Sequence, residues 1–240
     1  MDTWPDEIIK LLDENIDFFY GWECKCATQT SAYLHDEFVI RFREVLKKHN
    51  LIGYHCTNLA IHEIDGILAS GMIAQTKITL INRIEKMKVN SLITEQVAGE
   101  LKRTNQAAAD CRSDMIWFCF FKPYLESECG IGGFFQYWGG ESLYGCHELT
   151  EIGENLKKIG IPCIVKASVP MSQLNESYLP EKEMFRVFLK DRGHNISEQI
   201  EHEAFSEKDI SAENIIDIIQ YPSDLFVELS GCDNWINLSL

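Results

Sequence analysis

The sequence predicts an α+β fold with one compact core. Three observations carry this. Short β-branched or aromatic runs stand at 51–54, 115–121, 161–169 and 183–190. Helical periodicity separates the earliest of them. The chain has 240 residues, 45% hydrophobic and 25% charged, which is enough to bury a sizeable single core.

Taken in order, residues 3–20 read as a helix. Thr3 can cap it, Pro5 suits its first turn, and Ile8, Leu12, Ile16 and Phe19 fall on one side before Gly21. A polar connection carrying Trp22, Cys24 and Cys26 leads to a second helix over 36–48. Leu51, Ile52 and Tyr54 then form a short buried strand, broken by His55, Cys56, Thr57 and Asn58. Thr57 or Asn58 is placed to cap a helix that carries Leu59, Ile64, Ile67 and Leu68 and stops at Gly71. Residues 79–110 continue at helical spacing, weakened by Gly99 and the polar run at 103–106.

The run MIWFCFF at 115–121 reads as a buried strand. Glycines 130, 132, 133, 139 and 140 then surround Phe134, Phe135, Tyr137 and Trp138 and lead to Glu141. Such glycines permit close backbone approach to a ligand, and the aromatics can stack on flat rings. No phosphate-loop pattern is present. Strands are expected at 161–169, at 183–190 and at 225–229, and Ser211 is placed to cap a short helix that carries Ile215, Ile216, Ile218 and Ile219.

The net charge of −15 argues against broad binding to nucleic-acid phosphates. It permits a role as an acidic binding or immunity protein. Lys86, Lys88, Lys102 and Arg103 form a basic region that reads as a solvated helix face. Nine irregularly spaced cysteines do not suggest a disulfide framework. Cys24 and Cys26 with His35 lack a second close cysteine pair for a zinc site, so no metal is expected. No apolar run is long enough for a membrane span, and the acidic N-terminus lacks the basic region of a secretory signal. A cytoplasmic protein is expected, with delivery into another cell left open.

Two stretches resemble the ADP-ribosyltransferase superfamily. The first is Tyr54-His55-Cys56-Thr57, followed by an amphipathic helix and Ala69-Ser70-Gly71-Met72. The second is Glu201-His202-Glu203-Ala204-Phe205, followed by Asp209-Ile210-Ser211-Ala212-Glu213 and an isoleucine-rich run. The resemblance is to the His-type, diphtheria-toxin and 2′-phosphotransferase side of that fold. It implies a split β-sheet core, with residues 1–50 as an N-terminal helical extension and 51–240 as an NAD-binding catalytic domain. It further implies cleavage of the nicotinamide–ribose bond of NAD, here a substrate, and transfer of ADP-ribose to a protein or nucleic-acid acceptor, in a toxin, effector or phage-conflict setting.

By the same resemblance, His55 and Thr57 anchor the nicotinamide ribose. Trp117, Phe118, Phe120, Phe134, Tyr137 and Trp138 are candidates for the nicotinamide clamp. Glu203 is the first candidate for the key carboxylate, Glu201 the second on the same strand face, and Glu141 an outside candidate. Two other readings stay open: a non-catalytic acidic binding protein, and a 2′-phosphotransferase-like enzyme. The latter would need basic residues at the site, chiefly Arg192, Lys166 and Arg186.

Overall fold

A computed structural model describes residues 3–23, 31–237 and 240. Cys24 and Cys26 lie outside the described residues. Among those described, eleven α-helices surround a five-stranded, wholly antiparallel sheet in the order β4-β2-β1-β3-β5. The fold is therefore mixed α and β. The strands are β1 (Asn50–Leu59), β2 (Ile116–Cys119), β3 (Ile161–Pro170), β4 (Glu203–Ser206) and β5 (Ile215–Gln220).

The central pair is β1 with β3, matched over ten residues from Asn50–Pro170 to Leu59–Ile161. Period-two alternation sorts β3 between two layers. Cys163, Val165, Ala167 and Val169 enter one hydrophobic cluster, and Ile164 enters another on the opposite face. By contrast, β1 and β2 share one register position, Tyr54–Cys119. The sheet is thus nearly divided between those strands.

The N-terminal segment forms α1 (Asp6–Asp13), α2 (Ile16–Glu23) and α3 (Ala32–Leu46). The single helix expected over 3–20 is broken at Asn15. There the side-chain amide donates to Leu11 O at 2.8 Å, and the main-chain N–H donates to Leu12 O at 3.1 Å. These helices share the cluster that covers one face of the sheet. Phe19 stacks on Phe185 with ring centroids 4.2 Å apart, and Arg186 Nε donates to Glu23 at 2.8 Å.

Past the central strand come α4 (Ile61–Ser70), α5 (Lys77–Val89) and α6 (Glu95–Arg103). The polar residues after Tyr54 do not end β1, because Cys56 and Asn58 pair across to β3. Ala60, not Thr57 or Asn58, occupies the cap of α4, and its N–H donates to Glu63 at 3.0 Å. Thr76 and Thr94 cap α5 and α6, which divide the segment read as one long helix. The glycine-rich stretch folds as α7 (Ser127–Gln136) and α8 (Glu141–His147), joined through Gly139 and Gly140 at φ of +87° and +66°. A short α9 (Glu151–Leu156) precedes β3.

Three expectations are corrected. Residues 183–190 are not a strand but lie in α10 (Glu181–Asp191), where Met184, Phe185, Phe188 and Leu189 bury one helical face. The isoleucines after Ser211 follow a single 3-10 turn and form β5, with Ile218 opposite Val165 and Ile219 opposite Ile164. Their branched side chains suit a strand. Residues 225–229 lie in α11 (Asp224–Ser230), capped by Ser223 and closed by Gly231.

Candidate functional site

Where β1 and β2 part, a cavity of about 490 Å³ opens. Residues from both faces of β1 reach it, among them Tyr54, His55, Cys56 and Thr57. Trp117, Phe118 and Cys119 of β2, Glu203 of β4, Phe134 of α7 and the Gly139–Glu141 turn complete much of the wall. The two stretches that carry the resemblance meet behind it. Met72 and Ile210 exchange main-chain hydrogen bonds of 2.8 and 2.9 Å. Gly71 makes this approach possible, since a Cβ there would stand 2.0 Å from Ile210 O.

His55 Nδ1 lies 2.8 Å from the Trp117 carbonyl oxygen. A carbonyl only accepts, so Nδ1 carries the proton in the neutral ring and Nε2 is left as an acceptor. Burial holds the imidazole below its ordinary pKa; the bond to Trp117 opposes this, and the Arg83 charge adds to it. The neutral tautomer with a free Nε2 lone pair is suited to receive a hydroxyl proton.

Cys119 stands opposite Tyr54 on β1 and opposite Glu203 on β4. Directly paired residues share a sheet face, so three strands aim these side chains together. Glu126, at the end of the 3-10 turn Pro123–Glu126, joins them, and one ligand atom each from Cys119, Glu126 and Glu203 lies within 4.8 Å of the others. Burial, then the charges of Glu203 and Glu201, push the Glu126 carboxyl up to about 7. Burial and Glu201 also raise Glu203, against a smaller opposing effect of His202. A carboxyl near 7 can give or take a proton at neutral pH.

Two arginines stand in the wall. Arg83 donates to Glu63 at 2.8 Å and to Gln75 at 2.7 Å, with its guanidinium over the Trp138 ring. Arg112 grips Glu141 through Nε at 3.1 Å and a terminal nitrogen at 2.9 Å. Glu141 therefore lines the cavity as half of an ion pair. The Tyr144 hydroxyl nearby is pushed up to about 12, by burial and then by Glu141.

Of the residues singled out from the sequence, the cavity gathers His55, Thr57, Trp117, Phe118, Phe134, Glu203 and Glu141. Four others stand outside its wall. Phe120 is buried in the cluster beneath the sheet. Tyr137 and Trp138 belong to the cluster around α5 and α6, where Trp138 Nε1 donates to Glu63 at 2.7 Å. Glu201 precedes β4 instead of sharing its face, and accepts from Gln199 at 2.6 Å. Lys166, Arg186 and Arg192 are likewise absent from the wall.

Sequence reasoning missed Arg83, Arg112, Glu126 and Cys119. Arg83 and Arg112 sit in segments whose periodicity reports only helix or loop, and Glu126 in a short turn with no motif. Cys119 lay within an apolar strand that was read for its aromatics. No helix among the described residues is long and apolar enough to cross a membrane. No family model, characterised protein or solved structure matches the chain.

Proposed function

We propose that the chain is an NAD-dependent ADP-ribosyltransferase whose site is the cavity between β1 and β2. One observation carries this reading: His55 with its fixed tautomer and Glu203, from opposite ends of the sequence, line the same cavity. Its volume of about 490 Å³ lies within the range of small-molecule sites. The single register pair between β1 and β2 also suits the split core that the resemblance implies.

In this reading, His55 Nε2 accepts from a ribose hydroxyl and Thr57 lies beside it on the strand. The half-exposed Trp117 and Phe134 flank the nicotinamide. Arg83 and Arg112 supply positive charge for the diphosphate in an otherwise acidic chain. The bond from ribose C1′ to the nicotinamide nitrogen breaks, and its electron pair leaves with nicotinamide. The Glu203 carboxylate steadies the positive charge that develops on the ribose. An acceptor nucleophile then bonds to C1′ and gives up its proton to solvent.

The test is nicotinamide release from NAD by the purified protein, with and without cell lysate. Glu203→Gln is expected to lower release by about 10²–10³-fold, and His55→Ala to weaken NAD binding. Dependence on lysate would indicate a macromolecular acceptor. No release together with no NAD binding by calorimetry overturns the reading and favours an acidic binding protein.

A further inference from the structure

Glu126 is half-buried and Glu203 exposed, and neither has a hydrogen bond or ion pair among the described residues, whereas the buried carboxylates do: Glu63 with Arg83, Glu181 with Arg43, Glu23 with Arg186. They stand close together, with Glu201 adding to the field on Glu126. What faces them is a thiol. Cys119 is 6% exposed and shares their 4.8 Å cluster, and the buried Cys56 thiol is its neighbour across β1 and β2.

The geometry points to a zinc site formed by Cys119 Sγ and one carboxylate oxygen each from Glu126 and Glu203, with its fourth position open to the cavity. The divalent ion would supply the positive charge that the two glutamates lack, and with one thiolate and two carboxylates bound the centre would carry a net charge of −1. Sulfur and oxygen together favour zinc over magnesium or calcium, which take oxygen alone. Zn–O bonds of about 2.1 Å and a Zn–S bond of about 2.3 Å place tetrahedral ligand atoms roughly 3.4–3.6 Å apart, so closing the cluster takes shifts of about 1 Å.

The framework is suited to this. Cys119 and Glu203 are register partners on adjacent strands, which fixes two ligands, and Glu126 brings the third on a flexible side chain. On binding, the Cys119 thiol loses its proton to solvent and its sulfur bonds to the ion. Cys56 then donates its S–H to that sulfur as a positioning group.

The functional consequence rests on the proposed NAD chemistry; the site itself does not. Zinc on the Glu203 carboxylate would withdraw the group that steadies the ribose cation, so zinc inhibits NAD cleavage and the metal-free protein is the active form.

Cobalt(II) is the direct probe, because thiolate ligation gives a near-ultraviolet charge-transfer band. The metal-free full chain is titrated with Co²⁺ and then with Zn²⁺. One equivalent of Co²⁺, the band, and its loss when Zn²⁺ displaces it are expected. Cys119→Ser should abolish the band, and Glu126→Gln should weaken Co²⁺ binding at least tenfold. Cys129→Ser, at an exposed cavity thiol, should leave both unchanged, and circular dichroism verifies each fold. No stoichiometric binding overturns the site, as does a band that survives Cys119→Ser or disappears in a Cys24→Ser, Cys26→Ser double variant. Binding of zinc by a protein that does not cleave NAD would support the site and count against the enzyme reading alone. Cleavage unaffected by bound zinc would overturn the inhibitory role.

Discussion

The His55 imidazole ties β1 to β2 just beyond the point where their ladder ends, its Nδ1 2.8 Å from the Trp117 carbonyl oxygen. This contact fixes which nitrogen can accept. Because burial holds the imidazole below 6.5, the unfolded chain takes up the proton first as pH falls. The stability His55 contributes is therefore complete above about 6.5 and is lost as pH falls through its lower folded value. Protonation also turns Nε2 from acceptor to donor. Under the proposed NAD reading, affinity for NAD measured by calorimetry between pH 5 and 8 is expected to fall on the acid side in the wild type and to lose this acid limb in His55→Asn.

Glu63 predicts a second pH dependence. Burial raises its pKa, but the charge and hydrogen bond of Arg83, the Ala60 N–H and the Trp138 indole together hold it below its ordinary value. Its stabilisation is present above the unfolded value and is lost as pH falls through the folded one. Glu63→Gln leaves Arg83 without its charge partner and is expected to cost about 3 kcal/mol near pH 7. Urea unfolding at several pH values should show this cost shrinking below about pH 4.

Gly71→Ala tests the junction of the two motif stretches. The residue has φ +85°, and a Cβ would meet Ile210 O at 2.0 Å. Main chain cannot yield as a flexible side chain can. A loss of about 2 kcal/mol or more is expected in urea unfolding, with reduced protection of the Ile210 amide in hydrogen exchange.

Phe19→Ala asks whether the N-terminal helices are an appendage. The ring is 1% exposed and lies 4.5 Å from Phe38 and 4.2 Å from Phe185, centroid to centroid. Its removal should cost about 3–5 kcal/mol. One cooperative transition, followed by tryptophan fluorescence and by circular dichroism, is expected to shift as a whole. Two separated transitions would mean that residues 1–50 fold apart from the sheet.

Strands β2 and β3 and the first half of β1 were legible because each is an apolar or β-branched run read by local pattern alone, whereas the polar second half of β1 is a strand only through its pairing with β3. The same local rule failed in α10 and α11. Phe185, Phe188 and Leu189 suit a strand by residue type, and only the neighbours Phe19 and Phe42 reveal that they form one face of a helix. It failed in reverse at β5, where Ile218 and Ile219 read as a helical face until β3 supplied a partner.

The sequence by itself determined the helix stop at Gly71, which follows from neighbours along the chain, and the resemblance it carries raised His55 and Glu203 as candidates; it did not show the caps at Thr76 and Thr94 that split the segment over 79–110. The tertiary structure alone decided that Trp138 packs on Arg83 while Trp117 faces the cavity, and that Cys119, Glu126 and Glu203 meet. The physical reason is range. Capping and periodicity act over three or four residues, whereas the cavity exists because two strands part, and strand pairing joins residues that the sequence holds far apart.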